Sequence, residues 1–203
     1  MAARPTFLVE PPPTESAARM YDEDRSEDGY VWNVTRLWAW RPDVQQAFVA
    51  LRAGLMDASS LGERDWAVLV AATAAQRNDS YCSLAWGAKL ALLADAETAA
   101  DVISGRPTPS LSPREAALAE WAGKVVDDPN ATTEADVNGL RDAGLGDREI
   151  FEATTFIAVR LAFSTVNDAL GAAPDRQLSD AAPEPVRTAV TWGRPPGATA
   201  SQP

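Results

Sequence analysis

Apolar residues recur at helical spacing along most of the chain, and capping residues break that recurrence into segments. Thr14 is placed to cap a short helix carrying Ala17, Ala18, Met20 and Tyr21. The Pro-rich residues 1–13 before it read as an extended arm, and the acidic residues 22–28 after it lead to Gly29. Residues 31–40 carry Trp32, Leu37, Trp38 and Trp40, and Pro42 suits the first turn of the next helix. There Val44, Phe48, Leu51 and Leu55 form a stripe that predicts one face packed on the core. Residues 61–77 and 80–94 read as two Ala-rich helices, interrupted at Arg77, Asn78 and Asp79, where polar side chains favour a turn and a new N-cap.

Asp95 predicts another helix ending before Gly105, and Ser112-Pro113-Arg114-Glu115 is a capping box with Pro in the first turn. Thr133 and Asp147 open two more helices, the second a long one through Phe151, Phe156, Val159 and Phe163 to Gly171. No segment alternates like a strand, so the fold class is all-α, with the helical domain spanning residues 14–173. Residues 174–203 carry Pro183, Pro185, Pro195, Pro196, Gly193 and Gly197, too little for much core. They read as an arm or disordered tail whose Val186, Val190 and Trp192 can dock on a neighbouring subunit.

Composition narrows the function. With 29 acidic against 18 basic residues the formal charge is -11, which disfavours nucleic acid and anionic membrane surfaces as partners. The longest apolar run, residues 66–72, is far short of a membrane span. One cysteine forms no internal disulfide and no signal segment is evident, so a cytoplasmic location is expected. The chain has no histidine, which removes the commonest metal ligand and neutral-pH base, although Asp/Glu metal sites stay open; no cofactor is called for.

The stretch Asp79-Ser80-Tyr81-Cys82-Ser83-Leu84-Ala85-Trp86 resembles the active site of the alkylhydroperoxidase D and carboxymuconolactone decarboxylase superfamily. The family pattern there is Glu, a Cys-x-x-Cys and a following His. On this sequence its first Cys falls on Asp79, its second on Cys82, its His on Trp86 and its Glu on Ala67. Further segments resemble the peroxidase-related branch in the same order: residues 29–36 with Arg41-Pro42, residues 111–115 through 127–129, residues 133–137 and 140–145, and Asp168 to Gly171. The resemblance implies an all-helical fold and homo-oligomers with the site near a subunit interface.

It also implies a peroxidase-related oxidoreductase whose site has degenerated to one thiol. A disulfide cycle within the subunit needs a second cysteine, so any peroxide reduction here must borrow an external thiol. Cys82 and Asp79 are the candidate catalytic residues, with Tyr81 and Trp86 as candidates to line a small-molecule pocket. Each has a plain structural reading beside it: Cys82 as a buried hydrophobe, Asp79 as an N-cap, and Tyr81 and Trp86 as core or interface aromatics. Glu63 or Asp65 can be considered as a replacement for the missing Glu, though first-turn acids look the same. Two other readings stand alongside: a non-catalytic oligomer that binds a small molecule in the former site, and a cofactor-free decarboxylase or lyase driven by carboxylates.

Overall fold

The computed structural model describes residues 5–197. It contains eleven helices among them: α1 (Glu15–Asp28), α2 (Asn33–Trp38), α3 (Pro42–Asp57), α4 (Glu63–Gln76), α5 (Ser80–Leu93), α6 (Ala96–Ile103), α7 (Pro113–Asp127), α8 (Glu134–Asp142), α9 (Asp147–Ala169), α10 (Arg176–Ala181) and α11 (Glu184–Ala189). No strand occurs among the described residues.

The expected caps make their bonds. Thr14, Asp79, Asp95, Ser112 and Thr133 each accept a backbone N–H from the first turn of their helix. The acidic segment 22–28 continues α1 rather than following it. Its acids are used by neighbours: Arg25 pairs with Asp22, the Trp32 backbone N–H donates to Asp24, and the Trp32 indole donates to Asp28 at 2.7 Å. Gly29, at φ 80°, then takes the left-handed conformation that closes the helix.

α4 is the centre of the fold. Every residue from Trp66 to Ala74 is buried, as fits a helix apolar on all sides, and α5, α6, α7 and α9 pack around it. A smaller cluster of Leu37, Trp38 and Ala172, with Phe48 and Phe163 at its edge, joins α2 and α3 to the end of α9. Trp38 stacks on Phe163 with ring centroids 5.1 Å apart, and its indole donates to Asn167 at 2.8 Å.

Two expectations need adjustment here. The α3 stripe packs at Val44 and Phe48 on the smaller cluster and at Leu55 on the main core, all half-buried, while Leu51 remains 49% exposed. Residues 174–197 are neither an extended arm nor a disordered tail. α10 packs on α5, and α11 packs on α6 and α5, with Val186 fully buried within its own subunit. Gly87 makes room for it: a Cβ there would lie 2.8 Å from Val186 Cγ1 and 2.5 Å from Ile103 Cδ1. Proline and glycine lower the apolar content of this segment, but one valine fitted against a glycine needs no stripe. The last six residues of that expected tail lie outside the described residues, as do residues 1–4 of the expected N-terminal arm.

The two peripheral segments also cover the start of α5 and the end of α9. Ser80 donates to the Arg194 carbonyl at 2.8 Å, and Arg194 sits over the Phe7 ring at 5.0 Å. The Phe7 backbone N–H donates to the Leu170 carbonyl at 2.9 Å.

Candidate functional site

The site is assembled where the first turn of α5 meets the middle of α9. Asn78, at φ 59°, turns the chain out of α4 in the left-handed region, and Asp79 then caps α5. Asp79 is fully buried. Its Oδ1 accepts from the Cys82 backbone N–H at 2.9 Å, and its Oδ2 accepts from the Ser164 hydroxyl at 2.5 Å. The capping reading of Asp79 therefore holds, and the same carboxylate also reaches α9.

Cys82 is 4% exposed and is a free thiol. Its neighbours come from α9. Arg160 Nη2 donates to Cys82 Sγ at 3.0 Å, and Ser164 Oγ lies 3.9 Å from the same sulfur. Arg160 is itself 3% exposed, and its Nε has no hydrogen-bond partner among the described residues. Its guanidinium lies 5.6 Å from the Trp86 ring centroid and 5.2 Å from that of Phe163, both favourable cation–π distances.

Two opposed effects act on the thiol. Burial pushes Cys82 up to about 12 by disfavouring the charged sulfur; Arg160 opposes this, while Asp79 adds to the rise by charge and by hydrogen bonding. At neutral pH the resting sulfur is protonated. Asp168, one turn beyond Ser164 on α9, is raised to about 6, first by its own burial and next by Asp79, against Arg194 and Arg77. Arg160, Ser164 and Asp168 thus form a row at four-residue steps on α9, along the start of α5.

The structure brings Cys82, Asp79 and Trp86 together, Trp86 through Arg160, and sends Tyr81 elsewhere. The Tyr81 hydroxyl donates to Asp175 just before α10, in a short bond, and its ring faces Trp32 at 6.3 Å. Tyr81 is a packing residue that ties the C-terminal segment to α5. Neither Glu63 nor Asp65 serves the sulfur. Glu63 reaches Lys89 at 3.5 Å, and Asp65 caps α4 and pairs with Arg114 at 3.3 Å. A cavity of about 620 Å³ lies between α4, α6 and α7, beside Trp192, and Cys82, Tyr81 and Trp86 do not line it.

Arg160 and Ser164 escape the sequence reading because their contacts with Cys82 span 78 and 82 residues. One local signal existed: Arg160 is a lone cation in the apolar run from Phe156 to Phe163. A charge on such a face needs a partner, and here its polar partner is the sulfur. Among the described residues no group of three or more His, Cys, Asp or Glu is placed to hold a metal, and no helix is long and apolar enough to cross a membrane.

No protein-family model matches the chain, and no curated protein matches it in sequence. Solved structures do. An uncharacterized peroxidase-related protein from Ralstonia eutropha JMP134, described as an alkylhydroperoxidase AhpD core, matches with a TM-score of 0.73 at 25% identity, over 87% of this chain and 96% of that one. An uncharacterized peroxidase-related protein from Silicibacter sp. TM1040 matches with a TM-score of 0.78 at 23% identity, over 87% of this chain and 95% of that one.

Proposed function

We propose that this chain, whose helical fold is that of the alkylhydroperoxidase D-like, peroxidase-related proteins, reduces peroxides slowly at Cys82 with an external thiol as reductant. The observation that carries the reading is Arg160 Nη2 at 3.0 Å from Cys82 Sγ. In a chain without histidine, a fixed guanidinium favours the thiolate and stabilises negative charge developing on a peroxide oxygen beside it.

In the first step Cys82 gives up its proton and the sulfur attacks one oxygen of ROOH. The S–O bond forms, the O–O bond breaks, and the departing RO⁻ takes a proton to leave as ROH. Ser164 and Asp79, joined by their 2.5 Å hydrogen bond, are the acid–base pair beside the sulfur. The sulfenic acid then condenses with an external thiol to a mixed disulfide, releasing water. A second thiol restores Cys82 and leaves as RSSR, so the sum is ROOH + 2 RSH giving ROH + RSSR + H₂O.

Because the thiol lies near 12, turnover is slow at neutral pH. Below that value the thiolate fraction, and the rate with it, rises about tenfold per pH unit. The test follows hydrogen peroxide and alkyl hydroperoxide consumption from pH 7 to 9, with and without added thiol, in the native protein and in Cys82→Ser. Thiol-dependent consumption that steepens with pH and vanishes in Cys82→Ser is expected. Repeated turnover without thiol, or equal consumption in Cys82→Ser, refutes the proposal.

A further inference from the structure

The cavity of about 620 Å³ between α4, α6 and α7 has the size of a small-molecule site. Its two long walls are helix faces made of small residues. α4 presents Ala72 and Ala75, while α7 presents Ala116, Ala119 and Gly123, which recur at helical spacing beside the face that buries Leu118, Trp121, Ala122 and Val125. The two helices pack together through the core, and on this side their short side chains leave the cavity between them. Val102, Ile103 and Leu111 add branched apolar surface, and the half-buried Trp192 adds the flat face of an indole.

Neither usual reason for glycine applies at Gly123. Its backbone is not left-handed, and a Cβ there would meet nothing within 4 Å. Glycine inside a helix is unfavourable relative to alanine, so the missing side chain preserves the width of the cavity rather than a turn or a close approach. The charges at the border are already spoken for. Arg106 holds Asp101 at 2.7 Å, and Glu120 holds Lys124 at 3.0 Å. A bound ion would compete for these partners or lie unpaired against alanine and indole, so the lining favours a molecule without charge.

We propose that this cavity binds an uncharged, mainly apolar organic molecule of about two or three rings, held between the small-residue walls of α4 and α7 with a ring against Trp192. The neutral polar groups of Gln76, Ser104 and Thr108 at its border orient the molecule. The site is separate from the peroxide chemistry, because Cys82, Asp79 and Arg160 do not line it. Occupancy here and turnover at the sulfur therefore stand or fall independently.

The probe is N-phenylnaphthylamine, an uncharged three-ring dye that fluoresces in apolar surroundings. Its charged counterpart is anilinonaphthalene sulfonate, the same skeleton carrying a sulfonate. Fluorescence titration of the native protein is expected to give saturable binding of the neutral dye, and binding of the sulfonate about tenfold weaker, since its charge has no free partner in the lining. Gly123→Leu places a side chain in the cavity from α7 and improves the helix propensity of that position. It is expected to weaken the neutral dye by about tenfold or more, while its urea midpoint stays at or above that of the native protein. Cys82→Ser is expected to bind the dye as the native protein does.

No saturable binding of the neutral dye overturns the proposal, as does equal binding in Gly123→Leu or a sulfonate that binds as tightly as the neutral dye. Loss of dye binding in Cys82→Ser would put the dye at the sulfur and overturn the separate site. Dye binding that weakens as protein concentration rises, with altered sedimentation of Gly123→Leu, would give the cavity to a second copy of the chain and overturn the ligand site.

Discussion

Val186 is fully buried against Gly87, and exchanging bulk between these two positions tests whether α11 is docked on its own subunit. Val186→Ala removes two methyl groups, at roughly 0.8 kcal/mol each by transfer, or about 1.6 kcal/mol together. The void left behind raises the cost to about 2–3 kcal/mol. Gly87→Ala pushes a Cβ to 2.8 Å from Val186 Cγ1 and 2.5 Å from Ile103 Cδ1. That overpacking costs about 1–3 kcal/mol, and replacing a mid-helix glycine returns about 1 kcal/mol. The net loss for Gly87→Ala alone is about 1 kcal/mol.

Combined, the two changes compensate, because the methyl group added at position 87 grows into the space vacated at position 186 and Ile103 Cδ1 has room to turn. The double variant is expected to lose about 1–2 kcal/mol, where independent effects would sum to about 3–4 kcal/mol, so the coupling is about 2 kcal/mol. Urea denaturation of the four proteins at constant m-value measures it. Coupling within about 0.5 kcal/mol of zero, or Val186→Ala as stable as the parent, refutes the docking of α11 over α5.

Two further outcomes follow from other parts of the chain. Asp175, 4% exposed, is raised from 3.8 to about 6 chiefly by burial, which outweighs the hydrogen bonds from Tyr81 and from the Asn33 backbone. The folded chain then binds more protons than the unfolded one between these values. Stability from this group is present below pH 4 and is lost as pH rises through 6, by an amount on the order of 3 kcal/mol. Asp175→Asn should flatten that decline in thermal melts from pH 4 to 7, and an unchanged slope would count against it. Homo-oligomer formation is proposed from the family resemblance and from the exposed Leu92, Phe151 and Leu51, at 85%, 68% and 49%. Sedimentation at micromolar protein should give a species larger than 21.6 kDa; a monomer refutes it.

The helix starts are legible because a capping side chain acts over three residues, so Thr14, Ser112 and Thr133 carry their structural consequence within the local sequence. What covers a stripe is not local. The Val44, Phe48, Leu51 and Leu55 spacing is real and seats three of the four on the clusters, yet among the described residues no neighbour closes over Leu51. In the C-terminal segment Pro and Gly content points away from packing, but Val186 needs only the notch at Gly87, ninety-nine residues earlier. At the site the same limit applies. Asp79 and Cys82 can be read together because they share a helical turn, whereas Arg160 joins them by tertiary packing.

The row of Arg160, Ser164 and Asp168 ties the sulfur's surroundings to the phase of a single helix. Side chains advance about 100° per residue around an α-helix, so four-residue steps keep the three groups on one slowly winding line. A substitution at any one of them changes that group alone. Deleting one residue from α9 ahead of Arg160 would turn Arg160 and Ser164 away from Cys82, and Asp168 away from Asp79, at once, leaving the helix as long as before less one residue. Within this fold the chemistry around Cys82 is therefore sensitive to insertions and deletions in α9 in a way that the helix count and the caps are not, and a register change there removes it in one event.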